Sequence, residues 1–336
     1  MFFLYDVVAA IVAGIVLRPI ARLRLACGRA TDAEVRERLG RIAPPHSARR
    51  PRIVLHAVSA GEMAAAGAVA EAIAARLPDA GFFLTTGNAD GRAAGERLRE
   101  RLPGATAPGF LPWDRRKFVE RWLAAADPDA VAVVETEIWP NLFRACGRAG
   151  LPLFVVNGRV PDGDFRRYRI GRFFFRPVLA NVRTILARSA EDARRFVAIG
   201  APAARVRDAG NVKFDAAAAA GPFDAAAQER ATRPSEEAAL RLVAGSTHAP
   251  EERLLIEAAA ALRTDFPGLS LVIAPRRVRR AKAILRRARA AGFRAALTSE
   301  SDAAAEIRIL DAIGGLAGAY SNAAIAVVGG SFSRHG

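Results

Sequence analysis

Cysteine is nearly missing from this sequence: Cys27 and Cys146 are the only two in 336 residues. That excludes a disulfide framework and a thiolate metal site, and a reducing, cytosolic compartment is expected. The four histidines, His46, His56, His248 and His335, are scattered, so a metal site has no support. Lysine is almost as scarce, with only Lys117, Lys213 and Lys282 among 50 basic residues. The matching excess of arginine and alanine reads as coding bias and carries no functional weight, whereas a lysine stands out. There is no convincing short repeat and no low-complexity tract beyond alanine runs such as 216–220. Acid is in deficit, 34 residues against 50 basic, for a net charge of +16. A field of that sign favours a polyanionic partner, either nucleic acid or an anionic membrane carrying phosphorylated lipids. Nothing resembles a nucleic-acid motif or its interleaved aromatics, so no nucleic-acid partner is expected.

What is present in quantity is apolar surface. The hydrophobic fraction of 51% is enough for two cores, and the length suits two domains better than one. Residues 1–17, MFFLYDVVAAIVAGIVL, are apolar except for Asp6, and Arg18, Arg22, Arg24 and Arg29 follow at once. A transmembrane helix needs about 20 apolar residues, so the run is marginal for a full span. It lacks the basic start and the cleavage site of a secretory signal. It reads either as a buried first helix or, in better accord with its arginine flank, as a helix dipped into the cytosolic leaflet with guanidinium groups at anionic headgroups.

Beyond a polar link at 43–51, short apolar runs alternate with alanine-rich helical stretches. Strands are expected at 53–58, 82–85, 131–134 and 153–156, and a second set at 240–244, 271–274, 307–310 and 325–328. Helices are expected between them, at 63–76, 90–101, 252–262 and 281–291. Such alternation implies parallel sheets with helices on both faces. The expected architecture is α/β, two Rossmann-like halves facing a cleft, joined near 200–212. The last strand runs into Gly329-Gly330-Ser331 with no helix left to cover it, so the second half is expected to be truncated at its C-terminal end.

Five segments carry chemistry. His56-Ala57-Val58-Ser59-Ala60-Gly61-Glu62 leaves the first strand and opens a helix, where the dipole favours a carboxylate. Glu62 is then either a base facing the cleft or a first-turn charge that complements the dipole, and the local pattern alone favours the second. Glu135-Thr136-Glu137-Ile138-Trp139-Pro140-Asn141 sets two carboxylates at a strand end, where acids reach the crevice or merely solvent. Gly245-Ser246-Thr247-His248 precedes a helix and offers hydroxyl and N–H groups to a phosphate. Gly210-Asn211-Val212-Lys213-Phe214-Asp215 brings one of the rare lysines to the join. Ala274-Pro275-Arg276-Arg277 puts guanidinium groups past a strand, a weak signal in a chain this rich in arginine.

Together HAVSAGE (56–62), ETEIWPN (135–141), VVNGRV (155–160) followed by Tyr168, GNVKFD (210–215), AGSTH (244–248), APR (274–276) and VVGGS (327–331) resemble the Kdo transferase family, in the family's order over nearly the whole chain. The resemblance implies a two-domain GT-B fold. It implies transfer of 3-deoxy-manno-octulosonate (Kdo) from CMP-Kdo to a hydroxyl of the lipid A precursor, with inversion and without a metal or other cofactor. It makes Glu62 the catalytic base. It lines the acceptor cleft with Ser59, Gly61, Glu135, Glu137, Asn157 and Arg159, and holds the donor with Lys213, Ser246, Thr247, His248, Arg276, Gly330 and Ser331. It implies residues 1–30 as a membrane-associating segment, 36–208 as the acceptor domain and 209–336 as a partial donor domain. The expected seat is the cytoplasmic face of the inner membrane, with its anionic surface, the lipid A precursor and CMP-Kdo as partners.

This sequence departs from the family in three places. Arg277 stands where the family usually has His, Gly314-Gly315-Leu316 lacks the usual acid, and the chain ends before an Asn-Pro-Leu-Glu stretch. Another GT-B glycosyltransferase, a nucleotide-sugar epimerase and an inactive membrane-binding relative are the competing expectations.

Overall fold

Strands that read as unbroken apolar runs belong inside a parallel sheet covered on both faces, and that is where they lie. The computed structural model describes residues 2–28, 30–42, 48–219, 240–300, 302, 304–312, 315–321, 323–330 and 332. Ser331, expected at the donor site, lies outside the described residues, as do Arg29, His46, Gly314 and His335. Two units separate, Met1–Ala219 and Ala220–Gly336. The division falls later than the expected 208/209 boundary. The helix Val212–Ala219 packs on the helix Ala60–Ala74 of the first unit, and Val212 joins that unit's core.

The first unit holds seven strands: β1 Arg52–His56, β2 Gly81–Thr86, β3 Gly109–Phe110, β4 Ala130–Val134, β5 Leu153–Gly158, β6 Thr184–Ala187 and β7 Val206–Asp208. All pair in parallel, in the order β3-β2-β1-β4-β5-β6-β7. Alternate residues serve opposite faces. Val54, Phe83, Val131, Val133 and Val155 pack against Trp122, Phe143, Leu179 and Phe196, whereas Ile53, Leu55, Phe82, Leu84 and Val134 meet Met63, Ala66, Ala70 and Leu98. Alanine on the buried side of the Ala60–Ala74 helix lets it lie close to the sheet. Connections run one way from β1 to β2 and the other way from β4 onward, so the strand order reverses between β1 and β4. Ligands of open α/β sheets bind outside the carboxyl ends of the strands at such a reversal. HAVSAGE leaves β1 and ETEIWPN leaves β4, the two strands that flank it.

The second unit holds β8 Leu240–Thr247, β9 Leu269–Pro275, β10 Ala295–Leu297, β11 Ile307–Ile309 and β12 Ile325–Val328, all parallel, in the order β10-β11-β9-β8-β12. Here the order reverses between β8 and β12, so the GSTH and VVGGS segments both leave strands at the reversal. On the edge strand β12, Ile325 and Val328 are exposed.

The N-terminal run is helical from Phe2 to Ala26, widening to a π-helix over Val12–Leu17. Apart from Ala13 and Ala21 its described residues are not buried, and Phe3, Leu4, Ile15 and Leu23 are widely exposed.

Candidate functional site

In the first unit the loop after β1 is closed by two reciprocal hydrogen bonds. Ser59 Oγ accepts from the Glu62 N–H at 3.3 Å, and Glu62 Oε2 accepts from the Val58 N–H at 2.7 Å. Ser59 thus caps the helix, while Glu62 accepts from the residue before the cap, and so does fill a first-turn role read from the sequence. The same contact fixes where its half-buried carboxylate stands. Gly61 is exposed beside it. His56 cannot share its work. It is fully buried, which pulls its pKa down to about 4 and keeps it neutral, and its Nδ1 lies 3.1 Å from Thr85 Oγ1.

At the end of β4, Glu135 takes a left-handed backbone conformation, φ 64°, and at the end of β5 Asn157 does the same, φ 54°. Such positions are costly for residues other than glycine and concentrate at functional sites. Each holds part of the GNVKFD segment. Asn157 Oδ1 accepts from the Val212 N–H at 3.2 Å, and Lys213 Nζ lies 2.5 Å from Glu135 Oε1. Lys213, expected on the donor half, is therefore a residue of the first unit, where its ammonium pairs with Glu135. The correction follows from the helix Val212–Ala219, which docks on the first unit and carries the lysine to β4.

Glu137 completes the group. Its carboxyl is pushed up from 4.5 to about 7, first by burial and then by the charge of Glu62; the Trp139 indole opposes this and Glu135 adds to it. The Tyr168 phenol is raised as well, by burial and by the charges of Asp164 and Glu137. Tyr168 thus joins the acidic group. His56 Nε2, Asn157 Nδ2 and Arg159 Nε are buried without a hydrogen-bond partner among the described residues. A separate apolar cavity of about 590 Å³ touches Asn157, Gly210 and Val212, but none of the three carboxylates lines it.

In the second unit the expected donor segments do converge. Ser246 is left-handed, φ 57°, at an irregularity where β8 meets β9, and the Arg276 N–H donates to Thr247 O at 3.0 Å. A Cβ on Gly329 would stand 2.5 Å from Ser246 O, so only glycine lets the loop after β12 lie against the loop after β8. Arg276 is exposed, whereas Thr247 is buried with its Oγ1 unpartnered. One expectation needs correction. The N–H groups foreseen for a phosphate at His248 and Gly330 already meet an anion of the chain itself. Buried Glu251 accepts from the N–H groups of His248 at 2.8 Å, Gly330 at 2.7 Å and Phe332 at 3.1 Å. Glu251 escaped the sequence reading, although a Pro-Glu step three residues past a helix start is a recognisable capping signal. Ser246, Thr247 and Arg276 lie together where β8 and β9 end. Among the described residues, no group of three or more His, Cys, Asp or Glu could hold a metal ion.

With that geometry in hand, likeness to known proteins becomes specific. The family described as 3-Deoxy-D-manno-octulosonic-acid transferase (kdotransferase) matches residues 33–216. The chain belongs to the Kdo transferase family. The matched span contains Glu62, Glu135, Glu137, Asn157, Arg159, Tyr168 and Lys213. Among relatives, the 3-deoxy-D-manno-octulosonic acid transferase of Bordetella pertussis is 32% identical over 84% of this chain and 66% of its own. That of Rickettsia felis is 28% identical over 85% of this chain and 61% of its own. The chain spans about three fifths to two thirds of the length of these curated relatives. UDP-GlcNAc 2-epimerase from Neisseria meningitidis, solved with UDP-GlcNAc bound, is 10% identical with a TM-score of 0.59, covering 82% of this chain and 77% of that one. At such identity the likeness is one of fold, and it assigns both units to the GT-B class.

Proposed function

We propose that this Kdo transferase family member moves Kdo from CMP-Kdo to a hydroxyl of a lipid A precursor, inverting the anomeric centre without a bound metal or other cofactor. The observation that carries the reading is the pairing of Glu62 with Glu137 at the strand-order reversal of the first sheet. Two acids whose surroundings differ divide acid and base roles between them. Glu137, half-buried with its carboxyl pushed up to about 7, keeps a proton below neutrality. Glu62, fixed at a helix start by Val58 and Ser59, takes the proton of the attacking hydroxyl as its oxygen bonds to the anomeric carbon. The C–O bond to the CMP phosphate breaks with inversion as CMP leaves with the bonding electrons; in the second unit, Arg276 and the Ser246 and Thr247 hydroxyls are the groups proposed to hold the donor. Lys213 balances Glu135, which lessens the repulsion that Glu62 and Glu135 exert on Glu137.

The seat of the reaction in this proposal is the cytoplasmic face of the inner membrane. Support comes from the Phe2–Ala26 helix, which has a mean hydropathy of 1.9 over its most apolar window, is only 6% buried there, and is by length and composition able to cross a membrane. Arg18, Arg22 and Arg24 follow its exposed apolar part, placed to meet anionic headgroups. The test is direct: purified protein, CMP-Kdo and the tetraacylated lipid A precursor are combined in detergent, with and without a metal chelator, and the lipid is analysed by mass spectrometry. Addition of Kdo with release of CMP, unaffected by the chelator, is expected; an unmodified lipid under saturating donor would overturn the reading.

A further inference from the structure

The apolar opening segment contains two polar side chains, Tyr5 and Asp6, and both turn toward the same place. The ETEIWPN segment ends by starting the helix Pro140–Arg148, whose first N–H groups have no partner inside the helix. Two of them are satisfied by Asp114: the Asn141 N–H donates to Oδ2 at 2.9 Å and the Leu142 N–H to Oδ1 at 3.0 Å. The fully buried Asn141 side chain adds a bond from Nδ2 to Asp114 O at 2.8 Å. The Tyr5 hydroxyl then donates to Asp114 Oδ2 at 2.6 Å. Arg144, on the same short helix, donates to Asp6 Oδ1 and to Asn141 Oδ1, each at 3.2 Å, with its guanidinium 4.1 Å from the centre of the Phe2 ring. Phe2 and Tyr5 also lie against Phe174, ring centres 5.7 and 5.4 Å away.

A segment that only holds the protein to a bilayer has no use for this arrangement. A carboxylate on an apolar helix is costly unless it is paired, and a hydroxyl aimed at a half-buried aspartate does nothing for membrane affinity. We infer that residues 2–6 are a positioning element for the acidic loop. The Tyr5–Asp114–Asn141 chain, braced by Asp6–Arg144, ties the N-terminal helix to the last residues of ETEIWPN, and so sets where that loop carries Glu135 and Glu137. The N-terminal helix therefore has two working faces. Phe3, Leu4, Val7, Val8 and Ile11 point outward, while Phe2, Tyr5 and Asp6 hold the loop. That the loop serves Kdo transfer rests on the function proposed above; the tie itself does not.

Amide hydrogen exchange on the full chain in detergent tests it without any substrate. Tyr5→Phe keeps the ring against Phe174 and removes only the hydroxyl. Exchange at Asn141 and Leu142 is expected to quicken about tenfold to a hundredfold, the range for losing a hydrogen bond to a charged group. Exchange in β1, β5 and β9 should not change. Asp6→Asn should quicken the same two amides to a lesser degree, and Phe3→Ala, on the outward face, should leave them alone. Unchanged rates at Asn141 and Leu142 in Tyr5→Phe would overturn the inference, and so would a uniform rise across every first-unit amide, which would make Tyr5 a general stabiliser. Should the transfer assay fail while these two amides respond, the tie stands and the functional reading falls.

Discussion

Replacing Glu137 by glutamine should make the protein more stable near and above neutral pH, and hardly at all in acid. The carboxyl titrates at 4.5 in its ordinary state and at about 7 in the folded protein. Between those values the native state keeps a proton that the unfolded chain has released. Stability therefore falls as pH rises through the interval and stays low above it, since both states are then ionised but only the folded one buries the charge beside Glu62. At roughly 1.4 kcal/mol per pH unit the interval corresponds to about 3 kcal/mol. Glu137 keeps contact with solvent, so screening reduces this to about 1–2 kcal/mol. Glutamine keeps the shape and carries no charge. At pH 8.5 Glu137→Gln should melt about 2–8 °C above the parent, given the usual response of a domain of this size, and at pH 5 the difference should shrink to a small fraction of that. Differential scanning calorimetry at the two pH values is sufficient. A variant less stable than its parent at pH 8.5, or an equal difference at both, would refute the reasoning, because either result means that Glu137 is not a buried acid strained by its neighbours.

Other consequences follow from the same geometry. Glu251→Ala should cost the second unit about 2–3 kcal/mol, since three backbone N–H groups lose a charged acceptor; the check is a urea titration monitored by exchange in β8 and β12. The Glu251 carboxyl is held low because those three bonds outweigh its burial, so its stabilisation is complete above the ordinary glutamate range and lost as pH falls below it; Glu251→Gln should flatten that acid limb. Lys213→Ala should destabilise the first unit by about 0.5–1 kcal/mol, and a double-mutant cycle with Glu135→Gln should return a coupling of that size, against zero if the pair does not form in solution. Val8→Glu together with Ile15→Glu, both on the outward face of the N-terminal helix, should abolish sedimentation with anionic vesicles and leave the melting temperature unchanged; retained sedimentation would mean that another surface binds the lipid.

Much of this arrangement was legible because it is local. The strand expected at 53–58 is β1, Arg52–His56, and Ser59 followed by Glu62 forms the cap that such a pair announces. The apolar strands betrayed themselves by burial on both faces, which needs no alternation. The short strands β3, β6, β7 and β10 went unread, whereas β11, equally short, was read from its apolar run. The rest was hidden by distance along the chain. Nothing near Lys213 announces Glu135, and Tyr5 is 109 residues from Asp114, as Gly330 is 79 from Glu251. Resemblance put Lys213 in the second half, whereas its helix packs on the first unit, and the local reading left the His248 N–H open to a phosphate where Glu251 already accepts from it.

The central claim is that Glu62 is the base, and a single-turnover assay of Glu62→Gln tests it most directly. Glutamine can still accept the Val58 N–H and close the helix cap, yet it cannot take a proton from an attacking hydroxyl. With CMP-Kdo and lipid A precursor the account predicts a rate lower by about 10²–10⁴-fold, with an unchanged melting temperature and unchanged CMP-Kdo binding. A near-normal rate with a slightly lowered melting temperature would contradict it, and would leave Glu62 as no more than the charge that caps its helix.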